Sequence, residues 1–537
     1  MSRRVCVIGA GAAGLTSIKG CLEEGLEPTC FESSDDIGGL WRFKETLEPG
    51  RTSIYRSLLA NTSKEMSCFS DFPMPPEYPN YTIHSQLLQY FRLYAQHFDL
   101  LRHITFQTSV QSVTQQPDFS CSGQWEVVTK DRDGREETRV FDGVLVCSGH
   151  FTLPFLPLSQ FPGHESFPGH CLHSWEYKDA EAFRGKRVVV IGLGNSGGDI
   201  AVEISRAAEK TFLSTREGSW VAARMSSNGL PLDMKVITRF TSMLPRWLLN
   251  WAAVKMLNQR FDHRLYGLQP TTRPMDRKPI INDDLPGRIL QGAVVLKPDL
   301  REFKGSVLQF QDGTVEDDID AVVFCTGYRS TFPFLPKSLF SGRGGELTLY
   351  RQVFPPALER PTLAVIGVFQ TKGPIFPGME MQVRWAARVI SGLNQLPLGE
   401  KMLSIIEMER IRAMKRYPCP MQAALNLDFI PYLDSMAKEI GVRPNLLWLL
   451  LTDPGLGLRV LLGPCTPYQY RLTGPGQWGG ARQAILSQWE RVAQPFKTRM
   501  VQEPDPKRSC ACLWLIPLCG AAGLLAVVLS QCQLNTT

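Results

Sequence analysis

A glycine-rich turn near the start of the chain constrains the fold more than any other segment. Residues 4–8 are an apolar run of the kind that forms buried parallel strands. Gly9, Gly11 and Gly14 follow with the spacing Gly-x-Gly-x-x-Gly, at the start of a helical pattern. The first glycine permits a tight turn, the second a close approach of backbone to a pyrophosphate, and the third close packing of helix on strand. The helix N-terminus offers N–H groups to the phosphates. The residues predicted to form this dinucleotide site are Gly9, Ala10, Gly11, Ala12, Ala13 and Gly14.

An acidic residue, Glu32, ends the second predicted strand, residues 28–32. It lies about twenty residues after the glycines, where a carboxylate binds ribose hydroxyls in dinucleotide folds. The glycine pattern alone is a weak signal, but strand, glycines, helix, strand and acid together are specific. We therefore prefer a dinucleotide site to a glycine turn in an ordinary α/β unit.

The same pattern recurs further along the chain. Residues 186–191 are a predicted strand, and residues 199–208 are a predicted helix. Gly192, Gly194 and Gly197 lie between them with the same spacing as the first three glycines. This repeat predicts a second dinucleotide site. Its candidate residues are Gly192, Gly194, Asn195, Ser196, Gly197, Gly198 and Asp199.

The two units differ at the position that meets the ribose. Where the first unit has Glu32, the second has Thr215 and Arg216 after the strand of residues 210–214. A carboxylate would repel a 2′-phosphate, whereas an arginine and a hydroxyl would bind one. The first unit is therefore predicted to bind FAD and the second to bind NADPH rather than NADH.

Two further segments are cofactor candidates with competing interpretations. Gly39 permits another close backbone approach, and Leu40 and Trp41 could flank a ring system. Because they follow the first dinucleotide pattern, we favour a cofactor contact over a surface turn with a packed tryptophan. For Asn61, the residues alone favour a helix cap or turn over a catalytic role.

Composition and charge exclude several classes of function. The 537 residues carry a net charge of only +6 with no long basic run before the C-terminus, so nucleic-acid binding is not predicted. The fourteen cysteines include no Cys-x-x-Cys pair, which leaves neither a zinc spacing nor a redox dithiol. They are predicted to be small core residues in a reduced compartment. The loop histidines His164, His170 and His173 lack suitably spaced cysteine or acidic co-ligands, so no metal is predicted.

The C-terminal region predicts a membrane anchor. Residues 510–529 carry no charge and are long enough to span a bilayer as a helix. Lys507 and Arg508 precede this stretch, and positive charge stays on the cytosolic side. A tail-anchored layout with a cytosolic body is therefore predicted.

The predicted fold class is α/β, with two Rossmann-like dinucleotide-binding domains, a helical insertion and a C-terminal transmembrane helix. Residues 236–257 could be an amphipathic helix at a membrane interface or a helix packed on the body, and both interpretations stay open. The apolar residues 446–451 are predicted to face a membrane. The predicted ranges are 1–155 and 330–440 for the FAD-binding domain, 156–217 and 296–329 for the NADPH-binding domain, 218–295 for the mainly helical insertion, 441–505 for a membrane-facing region and 510–529 for the anchor.

Nearly the whole chain resembles the vertebrate flavin-containing monooxygenases of the microsomal type, the dimethylaniline monooxygenase family. Besides the two glycine patterns, the segments that carry the resemblance are residues 36–42, residues 61–72 with the strings NTSKEM and FSDFP, residues 167–177 and residues 324–328. Residues 282–286 and 463–467 look closest to the member associated with Baeyer–Villiger oxidation. Ser33, Cys325 and residues 370–373 depart from the family pattern, which weakens inference about the substrate but not about the cofactors.

The resemblance implies that NADPH reduces FAD, that a C4a-hydroperoxyflavin forms with O2, and that one oxygen passes to a soft amine nitrogen or sulfide sulfur of a small xenobiotic molecule. It implies that Asn61 is catalytic, that Ala60 and Thr62 contact the cofactor beside it, and that Arg224 assists at the 2′-phosphate. It further implies an endoplasmic reticulum membrane location. Homo-oligomerisation is left open.

Other functions compete with this monooxygenase activity as interpretations of the sequence. Ketone oxidation and a largely uncoupled NADPH oxidase that releases H2O2 are the alternatives within the family chemistry. A disulfide reductase shares the two-nucleotide architecture but needs the dithiol that is absent from the sequence. A membrane protein that holds cofactors without turnover is disfavoured by the intact glycines, Asn61 and Arg216.

Overall fold

Two parallel sheets organise the part of the chain described by a computed structural model, residues 2–340, 347–415 and 426–499. Apolar runs buried on both faces form parallel strands, as the sequence predicts. The strands are β1 (Arg4–Ile8), β2 (Glu27–Phe31), β3 (Ile104–Thr105), β4 (Thr108–Gln115), β5 (Trp125–Asp131), β6 (Glu136–Phe141), β7 (Gly143–Val146), β8 (Leu153–Pro154), β9 (His170–His173), β10 (Arg187–Ile191), β11 (Lys210–Ser214), β12 (Val221–Ala222), β13 (Ile280–Ile281), β14 (Val294–Lys297), β15 (Leu300–Lys304), β16 (Val307–Phe310), β17 (Val315–Glu316), β18 (Ala321–Phe324), β19 (Tyr328–Arg329), β20 (Leu363–Val365), β21 (Gln370–Thr371) and β22 (Asn426–Leu427).

Helices connect and cover the sheets within the same described ranges. They are α1 (Ala12–Glu23), α2 (Lys64–Ser67), α3 (His84–His97), α4 (Phe119–Ser122), α5 (Asn195–Ile204), α6 (Leu232–Val236), α7 (Arg239–Met243), α8 (Arg246–Arg260), α9 (Leu285–Leu290), α10 (Phe376–Ile390), α11 (Gly399–Met414), α12 (Phe429–Ile440), α13 (Leu446–Thr452), α14 (Pro454–Leu462) and α15 (Ala481–Ala493). The described residues up to Val492 form one compact unit, and of residues 493–537 only 493–499 are described.

The two sheets repeat one arrangement of parallel strands, except that the edge strand β20 follows the other strands of its sheet along the chain, whereas the edge strand β9 precedes those of its own. Among the described residues, the first has the order β20-β7-β1-β2-β3 and the second the order β14-β11-β10-β18-β9, and every pairing in both is parallel. The helices α1 and α5 follow the inner strands β1 and β10. In open α/β sheets, ligands bind beyond the carboxyl ends of such strands. Each glycine turn therefore lies where a dinucleotide would bind.

The chain leaves the first sheet after β7 and returns to it at β20. Leu363, Ala364 and Val365 pair with β7, so the first sheet contains segments from before and after the second. The helix α10 then packs on α1, and a β-carbon at Gly20 would lie 2.5 Å from Cγ1 of Val383. This close approach joins the late segment to the first dinucleotide unit. The domain boundaries themselves stay a prediction.

Several elements differ from the sequence-based expectation. The segment 236–257 is not one helix but parts of α6, α7 and α8, because Thr238 is extended and caps α7 and because Pro245 precedes α8. Strands β3 and β4 are separated by Gln107, whose φ is 52°. The helix expected from Asp199 begins earlier, at Asn195.

The predicted anchor of residues 510–529 lies outside the described residues. Of the helices that the structure does describe, none combines the length and the apolar character required to span a bilayer.

Candidate active site

The first glycine turn has no room for side chains. Gly9 has a φ of 98°, and a β-carbon there would lie 2.9 Å from the carbonyl oxygen of Cys147. A β-carbon at Gly14 would lie 1.8 Å from the carbonyl oxygen of Gly9. These contacts require glycine at both positions, one for its backbone conformation and one for close packing of helix on strand.

The segment of residues 38–41 packs directly on this turn. A β-carbon at Gly11 would lie 3.6 Å from Cα of Gly39, and the amide of Gly38 donates to the carbonyl of Ala10 at 3.1 Å. Residues Gly39–Trp41 form a short 3-10 helix, in which Leu40 is half-buried. Trp41 is also half-buried, with its ring edge-on to that of Phe376 at a centroid distance of 5.9 Å. The backbone approach is therefore present, and so is the packed tryptophan of the alternative interpretation.

Glu32 braces the turn from the end of β2. Its Oε2 accepts a hydrogen bond from the amide of Ala10 at 2.7 Å. Its Oε1 accepts from the amide and hydroxyl of Ser34 at 2.8 and 2.7 Å. The side chain is buried, and Nη1 of Arg51 lies 3.6 Å from Oε1. A cavity of about 460 Å³ opens beside it, lined by Ser33, Ser34 and Arg51 among others. Its volume is within the range of small-molecule sites.

The second glycine turn repeats the first in detail. Gly192 has a φ of 101°, and a β-carbon there would lie 2.6 Å from the carbonyl oxygen of Cys325. A β-carbon at Gly197 would lie 1.9 Å from the carbonyl oxygen of Gly192. At Gly194 a β-carbon would meet no atom within 4 Å, so the backbone there borders open space. That open space is where a pyrophosphate would approach a second dinucleotide unit.

The side chains after β11 leave a cation available. The amide of Thr215 donates to the carbonyl of Lys297, and its hydroxyl oxygen accepts from the amide of Gly218 at 3.1 Å. Arg216 is exposed, and among the described residues its guanidinium makes no hydrogen bond or ion pair. It is close enough to Asp299 to lower the pKa of that carboxyl, which burial raises. Arg216 thus offers a cation one residue beyond Thr215, which the strand registers make equivalent to Glu32.

Other predicted contacts of the second unit are held by neighbouring protein groups. Oδ1 of Asn195 accepts from the amide of Ile281 at 2.9 Å. The carboxylate of Asp199 accepts from the hydroxyl of Tyr55 and from Nδ2 of Asn282, both at 2.7 Å. Burial raises the pKa of Asp199, and these donors counteract it. Both side chains therefore fix residues 281 and 282 to α5. Ser196 is half-buried and Gly198 is buried in the same first turn of α5.

The side chain of Asn61 is held by Arg224, which the family resemblance places at the 2′-phosphate. Nη2 of Arg224 donates to Oδ1 of Asn61 at 2.7 Å, and its Nε donates to the carbonyl of Ala60 at 3.2 Å. Its Nη1 pairs with Oδ2 of Asp283 at 3.0 Å. All three guanidinium nitrogens are thus used beside Asn61. The predicted contact of Arg224 with a 2′-phosphate stays a prediction.

The backbone around Asn61 is fixed as well. The amide of Ala60 donates to the carbonyl of Thr82 at 2.9 Å, and the amide of Ser63 donates to Oδ2 of Asp233 at 2.6 Å. The hydroxyls of Thr62 and Ser67 are 2.6 Å apart. Since Oδ1 of Asn61 accepts from Arg224, its Nδ2 group stays available as a hydrogen-bond donor among the described residues. Asp233 and the role of Arg224 have no local sequence signal, because each is more than 150 residues from the loop that it contacts.

A thiol next to the first turn is chemically quiet. Cys147 is buried, its Sγ is 3.2 Å from the hydroxyl of Ser17, and burial raises its pKa to about 12. The thiolate is the reactive form of cysteine. Cys147 therefore does not supply the nucleophile that a disulfide reductase needs.

Two glycine turns with opposite charge at the ribose positions define an oxidoreductase that binds a flavin dinucleotide and a phosphorylated nicotinamide dinucleotide. A family model described as flavin-binding monooxygenase-like matches residues 2–533, and the chain belongs to that family. The resemblance stated from the sequence is thereby confirmed, the chain is a flavin-containing monooxygenase, and its cofactors are FAD and NADPH.

Individual relatives agree with this assignment. The chain is 50% identical over 534 residues to dimethylaniline monooxygenase [N-oxide-forming] 2 of Mus musculus, covering 99% of this chain and 98% of the relative. It is 51% identical over 532 residues to flavin-containing monooxygenase 5 of Rattus norvegicus, covering 98% and 99%. A solved structure of S-allyl-L-cysteine S-oxygenase from Allium sativum covers 92% of this chain and 99% of its own at a TM-score of 0.64, with 24% identity. That last likeness shows the fold alone.

The residues present fit both cofactors. β-carbons at Gly9, Gly14, Gly192 and Gly197 would clash with backbone, and each turn leads into the N-terminus of a helix, whose N–H groups can bind a pyrophosphate. Glu32 has lone pairs left for ribose hydroxyls after its hydrogen bonds to Ala10 and Ser34.

Proposed function

We propose that this enzyme uses NADPH and O2 to transfer one oxygen atom to soft nucleophiles, amine nitrogen or sulfide sulfur, of small xenobiotic molecules. The observation that carries the proposal is the position of Asn61, which Arg224 links to the segment that is bound to the second glycine turn. Ala60 belongs to the same buried cluster as Ala10 and Ala13. Arg224 connects Asn61 to Asp283, which follows the segment bound to α5. A carboxamide at this place can contact both cofactors.

The chain's own groups bind, orient and shield. Bound FAD supplies the redox and oxygen chemistry, which no side chain of this site provides. The glycine turns would hold the two pyrophosphates, Glu32 a ribose of FAD, and Thr215 with Arg216 the 2′-phosphate of NADPH. Arg224 fixes the amide of Asn61 so that its Nδ2 protons point away from the guanidinium, as donors to a cofactor. Exclusion of water around a bound flavin would limit the release of H2O2.

The substrate class rests on the relatives and on the accessible chemistry. The name of the mouse relative describes the formation of an N-oxide from dimethylaniline. Neither a nucleophilic thiolate nor an acid–base pair is required when a soft nucleophile attacks an activated oxygen. Ketone oxidation and uncoupled oxidation of NADPH are the competing outcomes, and the products distinguish them.

Product analysis of the purified holoenzyme tests the proposal. It is supplied with NADPH, O2 and one tertiary amine, one sulfide or one ketone, and product and H2O2 are measured together. We expect an N-oxide and a sulfoxide in amounts close to the NADPH consumed. An ester from the ketone alone, or H2O2 equal to NADPH with every substrate, would refute it.

Asn61→Ala sharpens the same experiment. We expect oxygenated product to fall and H2O2 to rise at a similar rate of NADPH oxidation, because the cofactors lose the amide between them. Asn228→Ala is the matched control, since Asn228 is exposed and bonds only to Ser226 and Lys235 among the described residues. An unchanged ratio of product to H2O2 in Asn61→Ala would remove the catalytic role.

We further propose that the enzyme is associated with the endoplasmic reticulum membrane. Besides the predicted anchor, the support is a group of exposed apolar side chains on the helices α7, α8, α13 and α14. Both α7 and α13 pack against α14. These side chains are Phe240, Met243, Trp247, Trp251, Leu447, Trp448, Leu451, Leu458 and Leu462. Truncation after Arg508 should weaken sedimentation with vesicles, and replacing Leu447, Trp448 and Leu451 by serine in the truncated chain should abolish it. Full sedimentation of both variants would contradict the proposal.

A further inference from the structure

A buried ion pair lies four residues beyond Asn61. Glu65 is in α2, and its side chain is only 1% exposed. Nε of Arg491 donates to its Oε1 at 2.9 Å, and the hydroxyl of Tyr468 donates to its Oε2 at 2.8 Å. Burial raises the pKa of Glu65, and Arg491 and Tyr468 counteract that rise. Burying a carboxylate without such partners costs free energy, so the pair fixes α2 and α15 to each other at this point.

The last turns of α15 hold a second part of the same region. Nδ2 of Asn80 donates to the carbonyl of Val492 at 3.0 Å, and the backbone carbonyl of Asn80 accepts from the amide of Lys64 at 2.8 Å. A guanidinium nitrogen of Arg491 also donates to the carbonyl of Met74. Helix α15 therefore contacts Glu65 directly, and it contacts the neighbouring Lys64 through Asn80.

Residues 60–68, which we call the Asn61 loop, are therefore held by two arginines. Arg224 fixes the side chain of Asn61, and Arg491 fixes Glu65 at the other end of the loop. Neither Glu65 nor Arg491 is among the residues predicted to contact a cofactor. Their pairing does not by itself bind ligand, yet it fixes the backbone from which Asn61 extends.

We propose that Arg491 acts through Glu65 as a positioning residue for Asn61, so that α15, the last helix among the described residues, sets the fraction of NADPH oxidation that ends in substrate oxygenation. This inference rests on the proposed monooxygenase function. Without Arg491, Glu65 is a buried carboxylate whose cation is missing, and it must take up a proton or move toward water. Either change shifts the Asn61 loop. Small displacements of a catalytic group can reduce a rate by about 100-fold.

The experiment compares three variants of the full-length holoenzyme. Arg491→Ala removes the pair, and Arg491→Lys keeps its charge. Arg482→Ala is the matched control, because Arg482 lies on the same helix and pairs with Asp453 at the surface. The measurements are FAD content, KM for NADPH, product and H2O2 formed per NADPH, and hydrogen–deuterium exchange of peptides covering residues 60–70 without substrate.

We expect product per NADPH to fall by about tenfold in Arg491→Ala, with H2O2 accounting for the difference. Exchange of residues 60–70 should rise, while FAD content and KM for NADPH change less than twofold. Arg491→Lys should recover most of the coupling, and Arg482→Ala should match the unmodified enzyme. If Arg491→Ala does not fold, Glu65→Gln, which keeps the volume and the Tyr468 contact, takes its place with the same expectation in weaker form.

Two results overturn the inference. One is unchanged product per NADPH together with unchanged exchange in Arg491→Ala or Glu65→Gln. The other is an equal loss of coupling in Arg482→Ala, which would indicate a general effect of disturbing α15. If the unmodified enzyme forms no oxygenated product, the proposed function fails, and the exchange data alone then decide whether Arg491 fixes the loop.

Discussion

Replacing Arg216 with alanine should separate the affinities for NADPH and NADH. Its guanidinium has no partner among the described residues and follows β11, where a 2′-phosphate would lie beside the second ribose. A hydrogen bond to a charged group contributes about 1.5–3 kcal/mol. Arg216 is exposed and salt screens exposed charges, so we use the lower part of that range, about 1.5–2 kcal/mol. This corresponds to a rise of about 10- to 30-fold in KM for NADPH.

The assay is initial-rate oxidation of NADPH and of NADH at low and high salt. NADH lacks the 2′-phosphate, so its KM should change less than twofold, and the preference for NADPH should fall by nearly the whole factor. Arg206→Ala is the control, since Arg206 is an exposed arginine paired with Asp284. Equal losses for both coenzymes, or an NADPH effect that does not weaken at high salt, would refute the assignment of Arg216.

The remaining predictions concern the second glycine turn and a buried histidine. Gly194→Ala should leave folding and FAD content unchanged but raise KM for NADPH, because its methyl group would enter open space beside the turn. Gly197→Ala should instead destabilise the fold, because its β-carbon would lie 1.9 Å from the carbonyl oxygen of Gly192. Measurements of thermal unfolding and of KM for NADPH distinguish the two variants. Burial, assisted by the nearby charge of Lys278, lowers the pKa of His150 to about 4. The unfolded chain then binds the extra proton between pH 6.5 and 4, so the free energy of unfolding should fall by up to about 3 kcal/mol as pH drops through that range. His150→Gln should flatten this dependence in denaturant titrations, and an identical slope would contradict it.

The sequence predicts those features whose causes are local. Each glycine turn, with its strand and helix, lies within some thirty residues, and Gly14 and Gly197 are required by contacts inside that unit. The structure repeats even the backbone bonds, since Gly9 donates to the carbonyl of Phe31 and Gly192 to that of Ser214. The opposite charges of Glu32 and Arg216 are likewise local, since each residue lies within two positions of the end of the second strand of its unit.

The contacts around Asn61 could not be predicted in the same way. Arg224 and Asp233 come from residues 218–295, and Arg491 comes from α15, so their approach depends on the tertiary packing of distant segments. Sequence spacing carries no information about such pairs. The apolar pattern of residues 236–257 also predicts one continuous helix. The structure has separate helices there, and Pro245 lies at the break between α7 and α8.

Three consecutive residues explain how two distant sites share one geometry. Ile281 donates to Asn195 at the start of α5, Asn282 donates to Asp199 in the same helix, and Asp283 pairs with Arg224, which holds Asn61. Because adjacent residues along β13 and its continuation are covalently fixed in spacing, the NADPH turn and the amide of Asn61 cannot move independently without breaking one of these bonds. Residues 281–283 of the insertion therefore have two roles. They fix α5 beside the second glycine turn, and they also fix the position of Asn61.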